Sequence, residues 1–479
     1  MYKIVIKSIL LLFFFAISIS CKQKKPVNSK PTELKPNIIF ILADDMGYGD
    51  AGSYGNTNLV ATPNIDRLSA EGIRFTDGYV TAPICAPARY GILTGVYQQK
   101  FGVRWNIDAA LDLSQHGIIE TEEKNRIKKP IEIISEPLER AGYKSVVLGK
   151  WNLMGYPKTS FDESYSLMHF VGEYFKDENG NYKGVDGARA NHEKSQAMWL
   201  SEEKGGEYLT DRIGRQASEY IDRNKNKPFF MYVAFNAPHT PLHAKEAHKS
   251  HVSHLKTDAQ KLYGAMQISM DENIGKILNS LDKNGLTENT LVAFLSDNGA
   301  SFAYPVNWPK HWEKEMLGSN GVLRGHKSQM YEGGIRVPFI LRYPKVLKGG
   351  TVYSEPVSAL DLYPTFCEVA KASPNHHSIL DGVNLIPYLN GDQEGQPHDI
   401  LYWYGSNKGA VRQGHYKYYN YKGQSELYNL AEDISESNDL SKIMPEVKQK
   451  LEAKYYSFID SLPPPINPNR YDKFNPDKP

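Results

Sequence analysis

The sequence predicts an α/β fold with a large, mostly parallel central sheet and helices on its faces. Three runs of almost purely apolar residues, 37–43, 228–235 and 291–295, have the length and composition of strands buried on both sides. Helical patterns lie between such strands; residues 259–283, for example, carry apolar side chains every three or four positions. Buried strands that alternate with helices are typical of βαβ units, which place their strands in parallel.

The remaining elements continue this alternation. Thr62 and Pro63 form a typical N-cap and first helical position, and they begin a helix that ends near the next glycine. Pro137 either kinks a helix over 131–141 or marks its true start. After about residue 390 the segments become short and rich in tyrosine and glycine. The other predicted helices are 209–221, 359–370 and 445–462, and the other predicted strands are 144–148, 337–343, 410–419 and 426–430.

The N-terminus resembles an export signal followed by a tether. Two lysines precede an apolar run over 9–19, which is too short to span a bilayer as a mature helix. Ser20 and Cys21 resemble a bacterial lipoprotein cleavage site, at which Cys21 becomes the lipidated N-terminus. We therefore expect a signal peptide over 1–20 and a lipidated cysteine with a flexible tether over 21–36. The expected location is the periplasm or the outer membrane, with membrane contact only through the lipid; simple secretion is the alternative.

Charge and cysteine content narrow the function classes. The 479 residues include 56 Lys and Arg against 55 Asp and Glu, a net charge of +1, which gives no reason to expect a nucleic-acid partner. There are three cysteines. Cys21 lies at the expected lipidation site, and Cys367 lies in an apolar helical stretch that is typical of an inert core thiol. Cys85 is the candidate for a chemical role. The length suits a large domain and a smaller one, which we place at 37–390 and 391–479.

Acidic residues follow two of the predicted strands. Asp44 and Asp45 come directly after the first strand, and Asp297 and Asn298 follow the strand over 291–295. Adjacent carboxylates at the end of a buried strand repel each other unless a cation lies between them, although Asp and Gly are also ordinary turn residues. Ligands of open α/β sheets gather at the carboxyl ends of strands. These four side chains therefore predict an all-oxygen site for calcium or magnesium.

A second candidate for a functional site is the segment APICAPARYGILTGVY, residues 82–97. Pro87 suits the first turn of a helix that starts near Cys85, and this helix would place Arg89 about one turn above Cys85 on the same face. A sulfur, a guanidinium and a helix N-terminus then surround a volume suited to a tetrahedral oxyanion. Taken alone, a buried cysteine beside a surface arginine fits these residues equally well.

The pattern Cys-x-Pro-x-Arg followed by Leu-Thr-Gly resembles the signature of the type I sulfatases. The resemblance spans about residues 36–462 and includes the two acidic strand ends, a Gly-Lys-Trp segment at 149–151, a Pro-His-x-Pro turn at 238–241 and Glu-Gly-Gly-Ile-Arg-Val-Pro at 332–338. It implies an alkaline-phosphatase-like sandwich with a small C-terminal antiparallel subdomain. It also implies that a maturase oxidises Cys85 to formylglycine, whose hydrated aldehyde attacks the sulfur of a sulfate ester.

The resemblance assigns roles to residues at the matching motifs. Arg89 and the cation lower the cost of ionising the formylglycine hydroxyl, Lys150 and Lys327 contact the sulfate, and His239 protonates the leaving alcohol. The implied metal is Ca²⁺, and the ligand set is Asp44, Asp45, Asp297, Asn298 and the modified Cys85.

One position departs from the family pattern. Asn152 stands where these sulfatases have a histidine that holds or deprotonates the formylglycine hydroxyl. An asparagine can donate and accept hydrogen bonds but cannot act as a base near neutral pH. His326, at a position where the family often has glycine, is a candidate to compensate.

The resemblance implies a sulfuric ester hydrolase, and an exported chain with a polar insertion around 177–187 favours a sulfated glycan or oligosaccharide as substrate. Two alternatives come from other classes. One is a phosphonate or phosphate ester hydrolase of the same superfamily, because a metal and several cations also suit phosphate. The other is a glycan-binding lipoprotein with impaired catalysis, for which Asn152 is the argument.

Overall fold

The computed structural model describes residues 35–466 except 56–58, 107–117, 123–124, 130, 154–159, 169–171, 178, 187–196, 303–314, 376–378 and 406. The predicted signal peptide, Cys21 and nearly all of the tether lie outside these residues. Lys35 and the rest of the described chain belong to one compact unit. The predicted domain boundary at residue 390 stays a prediction. No helix in the described ranges is both long and apolar enough to cross a bilayer.

The strands are β1 (Asn37–Ala43), β2 (Ile73–Phe75), β3 (Gly78–Tyr79), β4 (Ile118–Glu122), β5 (Asn125–Lys129), β6 (Lys144–Lys150), β7 (Glu163–Met168), β8 (Met198–Leu200), β9 (Phe229–Ala234), β10 (His243–Lys245), β11 (Thr290–Ser296), β12 (Phe339–Arg342), β13 (Thr351–Tyr353), β14 (Val357–Ser358), β15 (Ile400–Gly405), β16 (Lys408–Gln413), β17 (Tyr416–Tyr421) and β18 (Gln424–Asn429).

The α-helices are α1 (Pro63–Glu71), α2 (Cys85–Thr94), α3 (Ser135–Arg140), α4 (Glu202–Gly205), α5 (Leu209–Asn224), α6 (Asp258–Lys283), α7 (Glu332–Ile335), α8 (Leu362–Ala370), α9 (Ile386–Asn390) and α10 (Pro445–Ser461).

The central sheet confirms the predicted α/β class. In the described part of the chain it has eight strands in the order β13-β2-β12-β11-β1-β9-β6-β7. Within this sheet β12 alone runs opposite to the others, because it pairs antiparallel with both β11 and β2. Strands β11, β1, β9 and β6 are parallel neighbours, so their carboxyl ends lie at one edge.

Two hydrophobic cores cover the two faces of this sheet. Along β1, Phe40 packs into one core and Ile39 into the other, because successive side chains of a strand point to opposite faces. Helices α2, α3 and α8 contribute apolar residues to the first core, and α1, α5 and α6 to the second. Burial on both faces explains why the strand sequences are apolar without alternation.

The C-terminal part forms a four-stranded antiparallel sheet in the order β15-β16-β17-β18, as the family resemblance implied. One face packs against α10 through Val411, Tyr418 and Tyr455. The other face packs against the main part of the molecule, where the Trp403 indole N–H donates to the Val80 carbonyl at 2.7 Å.

Two predicted elements differ from the structure. The strand predicted over 410–419 is two strands, β16 and β17, joined by a tight turn at Gly414, which has φ 57°. Glycine permits this left-handed backbone without steric cost, so the chain can reverse direction between β16 and β17. The helix predicted over 131–141 is only Ser135–Arg140, and Pro137 lies in its first turn, where a proline needs no intrahelical partner.

A buried group of charges joins the C-terminal sheet to the main part of the chain. Lys417 of β17 places its Nζ 2.8 Å from Glu332 Oε1 and 2.8 Å from Glu436 Oε1, and all three residues are fully buried. Arg412 of β16 forms an ion pair with Asp77 at 2.7 Å. Buried charges of this kind are stable only while every member keeps its partner. We call these residues, with Tyr79 and Arg336, the Glu332 cluster.

Replacing Lys417 by methionine should therefore destabilise the protein strongly. The substitution keeps the length of the side chain but leaves two buried carboxylates without their ammonium group, which costs about 3–5 kcal/mol of unfolding free energy. Urea unfolding followed by tryptophan fluorescence measures the loss. The matched control is Lys450→Met on the exposed side of α10, which should change stability by less than about 0.5 kcal/mol. Equal stability of the two variants would show that the cluster does not hold the sheet in place.

Candidate active site

The predicted site residues converge at the carboxyl edge of the central sheet. Four neighbouring parallel strands end there, and each carries or precedes at least one of the residues singled out from the sequence. The residues are Asp44 and Asp45 after β1, Asp297 and Asn298 after β11, Lys150 at the end of β6 and His239 after β9. The site therefore follows directly from the strand order.

The two aspartates after β1 occupy a special turn. Asp45 has φ 66°, in the left-handed region that few non-glycine residues adopt. This conformation is held by neighbours, because the Asp45 N–H donates to Asp297 Oδ1 at 3.2 Å and the Met46 N–H donates to Ser296 Oγ at 3.0 Å. Residues in strained backbone regions are concentrated at functional sites. The turn directs both carboxylates into the same small volume.

Cys85 is the first residue of α2, as predicted, and its thiol faces these carboxylates. Its Sγ lies 3.4 Å from Asp44 Oδ1 and 3.8 Å from Asp45 Oδ1. Burial raises the pKa of this thiol, and the Asp297 carboxylate adds to the rise. A thiol that resists ionisation in this way is a poor nucleophile, because the thiolate is the reactive form. The geometry therefore gives Cys85 a central position without activating it as a thiolate.

Arg89 links α2 to the sheet beneath it. It is fully buried, and its Nε and Nη2 lie 2.9 and 2.7 Å from Asp297 Oδ2. Its Nη1 donates to the Lys150 carbonyl at 2.8 Å. Burial alone would lower the pKa of this guanidinium, but Asp297 and other neighbours raise it, so the side chain of Arg89 stays protonated. The sequence-only alternative of a surface arginine is wrong.

Two lysines pair with the two aspartates after β1. Lys150 Nζ contacts Asp44 Oδ2, and Lys327 Nζ lies 2.6 and 2.8 Å from the two oxygens of Asp45. Burial alone would raise the pKa values of both carboxyls. The neighbouring cations together outweigh this effect, with Lys150 the strongest of them at Asp44 and Lys327 at Asp45, so both pKa values lie below the usual range. Both aspartates are thus ionised and can bind a cation.

Asp297 has a different charge state. Burial raises the pKa of its carboxyl to about 6, and Asp44 adds to the rise while Arg89 opposes it. Its two oxygens are occupied by the Asp45 N–H and by the Arg89 guanidinium. The structure thus places Asp297 in the site mainly as the partner of Arg89.

His239 has a defined tautomer in its turn. Its Nδ1 lies 2.6 Å from the Thr240 carbonyl, which can only accept, so Nδ1 carries a proton and donates it. Nε2 is then the nitrogen that faces the site, 3.6 Å from Asp45 Oδ2. The Tyr174 hydroxyl donates to the carbonyls of Asn236 and His239 at 2.6 and 2.8 Å and so supports the turn. Burial lowers the pKa of His239 to about 4, an effect that Asp44 opposes.

The residues present fit a hard divalent cation. Ligand atoms of Asp44, Asp45, Cys85 and His239 lie within 4.8 Å of one another. Asn298 donates to Asp45 Oδ1 at 2.7 Å, while its own Oδ1 is buried and has no hydrogen-bond partner in the described part of the chain. An amide oxygen left in this way is a typical ligand for calcium. Three of the five predicted ligands, Asp44, Asp45 and Cys85, are in that group; Asp297 and Asn298 stay predicted ligands beside it.

Asn152 follows Lys150 by two residues and makes no hydrogen bond within the described residues. It is buried and has φ 56°, which asparagine tolerates better than most residues. His326 donates from Nδ1 to the Lys327 carbonyl at 2.7 Å and packs edge-on against Phe302. Compensation for Asn152 by His326 stays a hypothesis.

Some residues of the site could not be singled out from the sequence. Tyr174, just before the polar insertion, donates to the His239 turn, and Tyr232 lies beside Arg89, with its hydroxyl 3.5 Å from Nη1. Asn236, two residues after the end of β9, is a third such residue. The one local signal was the position of Asn236 after a strand that ends at the site edge.

Comparison with known proteins decides the family. The family model described as Sulfatase matches residues 36–372, well over half of the chain. This chain belongs to the sulfatase family. A second model, described as N-sulphoglucosamine sulphohydrolase, C-terminal, matches residues 325–459 of the sulfatase. The matches confirm the predicted type I sulfatase class and with it an enzyme that hydrolyses sulfate esters.

Individual relatives agree with this assignment. The sulfatase is 29% identical to the uncharacterized sulfatase YdeN of Escherichia coli K12, over 93% of this chain and 89% of that protein. It is 31% identical to the N-acetylgalactosamine-6-sulfatase of Rattus norvegicus, over 80% and 71% of the two chains. Among solved structures, Ps i-CgsB in complex with k-i-k-neocarrahexaose is 30% identical with a TM-score of 0.73, over 90% of this chain and 94% of that one.

The site predicts that the sulfatase binds Ca²⁺ through the aspartates after β1. Saturation at one hundred times the dissociation constant should stabilise the fold by about 2.7 kcal/mol, seen as a rise in melting temperature. Asp45→Asn removes one charged ligand and should weaken Ca²⁺ binding at least about tenfold in isothermal titration. Asp460→Asn, on the exposed face of α10, is the control and should bind like the wild type. Unchanged Ca²⁺ affinity in Asp45→Asn would place the ion elsewhere.

Proposed function

We propose that this sulfatase removes sulfate from a sulfated glycan or oligosaccharide, with a formylglycine made from Cys85 as its nucleophile. The observation that carries the proposal is the position of Cys85. It begins α2 with its Sγ 3.4 Å from Asp44 Oδ1, and Arg89, Lys150 and Lys327 surround the same carboxylates. No other described cysteine has such surroundings: Cys367 packs in the hydrophobic core.

The buried thiol itself does not suit the reaction, because burial holds it in the protonated form. We propose that a formylglycine-generating maturase converts it in a two-electron oxidation by an external oxidant, in which the sulfur leaves as sulfide and an oxygen takes its place. The hydrated aldehyde then supplies a hydroxyl nucleophile, and its second hydroxyl allows the aldehyde to form again as sulfate leaves. The maturase is thus an obligatory partner.

The cationic side chains are placed to bind the sulfuryl group. Lys150 and Lys327 have their Nζ atoms on the carboxylates that face Cys85, within reach of an anion bound there. Donors that are already in place stabilise charge developing in the transition state without reorganisation. Arg89, held on Asp297, keeps a positive charge one turn above Cys85 and favours ionisation of a hydroxyl at that position. A Ca²⁺ ion on Asp44 and Asp45 would add charge beside the same oxygens.

His239 is the proposed acid for the leaving alcohol. Since Nδ1–H donates to the Thr240 carbonyl, Nε2 is the nitrogen available to the ester. Nε2 can donate only when the ring carries both protons, and the negative charge of a bound ester favours that form. The need for a proton depends on the leaving group: a sugar alkoxide is too basic to leave unprotonated, whereas an acidic phenol is not.

The choice of a glycan rests on two supports. Among the relatives, one is named for N-acetylgalactosamine-6-sulfate and another is solved with k-i-k-neocarrahexaose. Polar residues around 177–187 follow Tyr174, which contacts the His239 turn, and we propose that this insertion helps to bind the sugar. A panel of sulfated saccharides, described next, identifies the sugar and the position of the sulfate.

The direct test is release of sulfate from a panel of sulfated saccharides by protein co-expressed with a maturase, with Ca²⁺ present. We expect turnover by the wild type, none above background by Cys85→Ala, and near-normal turnover by Cys367→Ala, which removes the other buried thiol. Mass spectrometry of the tryptic peptide around residue 85 reports aldehyde formation. An aldehyde without any sulfate release would favour the phosphonate hydrolase or the glycan-binding protein.

The leaving-group dependence tests His239 separately. His239→Ala should slow hydrolysis of a sugar sulfate by about 10²–10⁴ but that of an activated aryl sulfate by tenfold or less, because only the former leaving group needs a proton. His415→Ala, an exposed histidine of the C-terminal sheet, is the control. Equal slowing of both substrates would assign His239 to metal binding or binding of the sulfate instead.

We also propose that the enzyme is exported and anchored by a lipid on Cys21. Support comes from the basic residues, apolar run and Ser20-Cys21 junction at the N-terminus. In cells grown with a radiolabelled fatty acid, the wild type should carry label in the membrane fraction. Cys21→Ala should lose both the label and the membrane association, and a variant that stays in the membrane without label would contradict the lipid anchor.

A further inference from the structure

One buried side chain at the edge of the site is left without hydrogen bonds. Asn236 is 2% exposed, and both its amide nitrogen and its amide oxygen lack a partner in the described part of the chain. Its main-chain carbonyl is satisfied, because it accepts from the Tyr174 hydroxyl and from the His239 N–H. A buried amide with neither end paired costs stability, so folded proteins seldom keep one without a use.

The strand register shows which side of the sheet this amide faces. Side chains alternate along β9, with Tyr232 and Ala234 in the core on the α2 side and Val233 and Phe235 in the other core. The Phe235 N–H still donates to Leu42, so the ladder continues to this point and Asn236 falls on the α2 side.

Arg89 lies on this same side, where its Nη1 contacts the Tyr232 hydroxyl and the Lys150 carbonyl. Gly149 of β6 pairs with Ala234, which puts the residues after Lys150 next to Asn236. Asn236 therefore lies on the same face of the sheet as the Arg89 guanidinium, which is one helical turn above Cys85.

The chemistry of an amide then limits what it can bind. A sulfate ion only accepts hydrogen bonds, so it would satisfy the Asn236 nitrogen and leave the oxygen unpaired. The hydrated aldehyde has two hydroxyl groups, each of which donates and accepts, and this matches both ends of the amide. The thiol of Cys85 offers only a weak donor and a weak acceptor, which agrees with an amide that is unpaired in the unmodified protein.

We propose that Asn236 is a positioning residue that hydrogen-bonds the hydrated aldehyde formed at residue 85 and holds it as the diol. The inference rests on the proposed function. Water adds across the carbonyl without change of oxidation state, one hydroxyl accepts from the Asn236 amide nitrogen and the other donates to its oxygen. This contact supplies the hydrogen bonds, though not the base, that the histidine absent at position 152 would provide.

A buried asparagine with a purely structural role has its side-chain amide paired within the fold. Asn420, equally buried in the C-terminal sheet, donates to the Tyr418 hydroxyl at 3.0 Å and accepts from the Gly423 N–H at 3.2 Å. Its amide is fully used by the fold. Asn420→Leu is therefore the matched control for Asn236→Leu, since both replace a buried amide by an apolar group of similar size.

The experiment has two readouts that need no turnover. First, melting temperatures are measured on protein whose Cys85 is still a thiol. Asn236→Leu should melt at or above the wild-type temperature, because no hydrogen bond is lost, whereas Asn420→Leu should melt below it. Second, maturase-treated protein is reacted with an aminooxy probe, which consumes the free aldehyde and not the diol. Asn236→Leu should label about five- to a hundredfold faster than wild type, the effect of losing both hydrogen bonds to the diol, while both proteins label to the same extent after denaturation.

The outcomes separate this inference from the proposed function. A melting temperature of Asn236→Leu that falls as far as that of Asn420→Leu would assign the amide to the fold and overturn the inference. Equal labelling rates of Asn236→Leu and wild type would overturn it as well, while leaving the formylglycine intact. If denatured wild type takes no label, position 85 carries no aldehyde, and both the proposed nucleophile and the role of Asn236 are wrong.

Discussion

The structure depends on burying three carboxylates and three cationic side chains at one edge of the central sheet. Asp44, Asp45 and Asp297 are each paired with one cation, Lys150, Lys327 and Arg89 respectively. Each ion taken out of water alone would cost several kcal/mol, so the arrangement is stable only when all the elements that carry these groups are in register. The ends of β1, β6 and β11, the start of α2 and the loop of Lys327 are thereby fixed relative to one another.

This balance of charges also explains why a divalent metal suits the site. Three carboxylates and three cations cancel, and His239, with its lowered pKa, is neutral near pH 7. An anionic ester therefore gains no net attraction from these seven groups together. A Ca²⁺ ion held by Asp44 and Asp45 would bring the sum to +2 and would compete with the lysines for these carboxylates.

Much of this architecture could be predicted because its signals are local. An apolar run followed by two aspartates identifies β1 and its turn, and Pro87 fixes the start of α2, from neighbours in the sequence alone. The features that could not be predicted from the sequence depend on contacts between distant segments. The unpaired amide of Asn236, the use of Asp297 as partner of Arg89 and the Tyr174 contact arise only when three or more elements meet. The hairpin at Gly414 is another such feature, because it is defined by the pairing of β16 with β17.

The loop that carries Lys327 has a consequence for how the enzyme can be divided. Lys327 reaches into the site, while Arg324 donates to the Tyr428 hydroxyl and the Glu436 carbonyl, and Glu332 pairs with Lys417. Both flanks of this short loop are thus fastened to the four-stranded sheet. The C-terminal sheet therefore supports the loop of Lys327, one of the two lysines proposed to bind sulfate. A fragment ending near residue 390 would keep almost all of the proposed site residues but lose the contacts that position Lys327. The C-terminal sheet is thus part of the framework of the site as well as a separate layer of the fold, because the position of Lys327 depends on it.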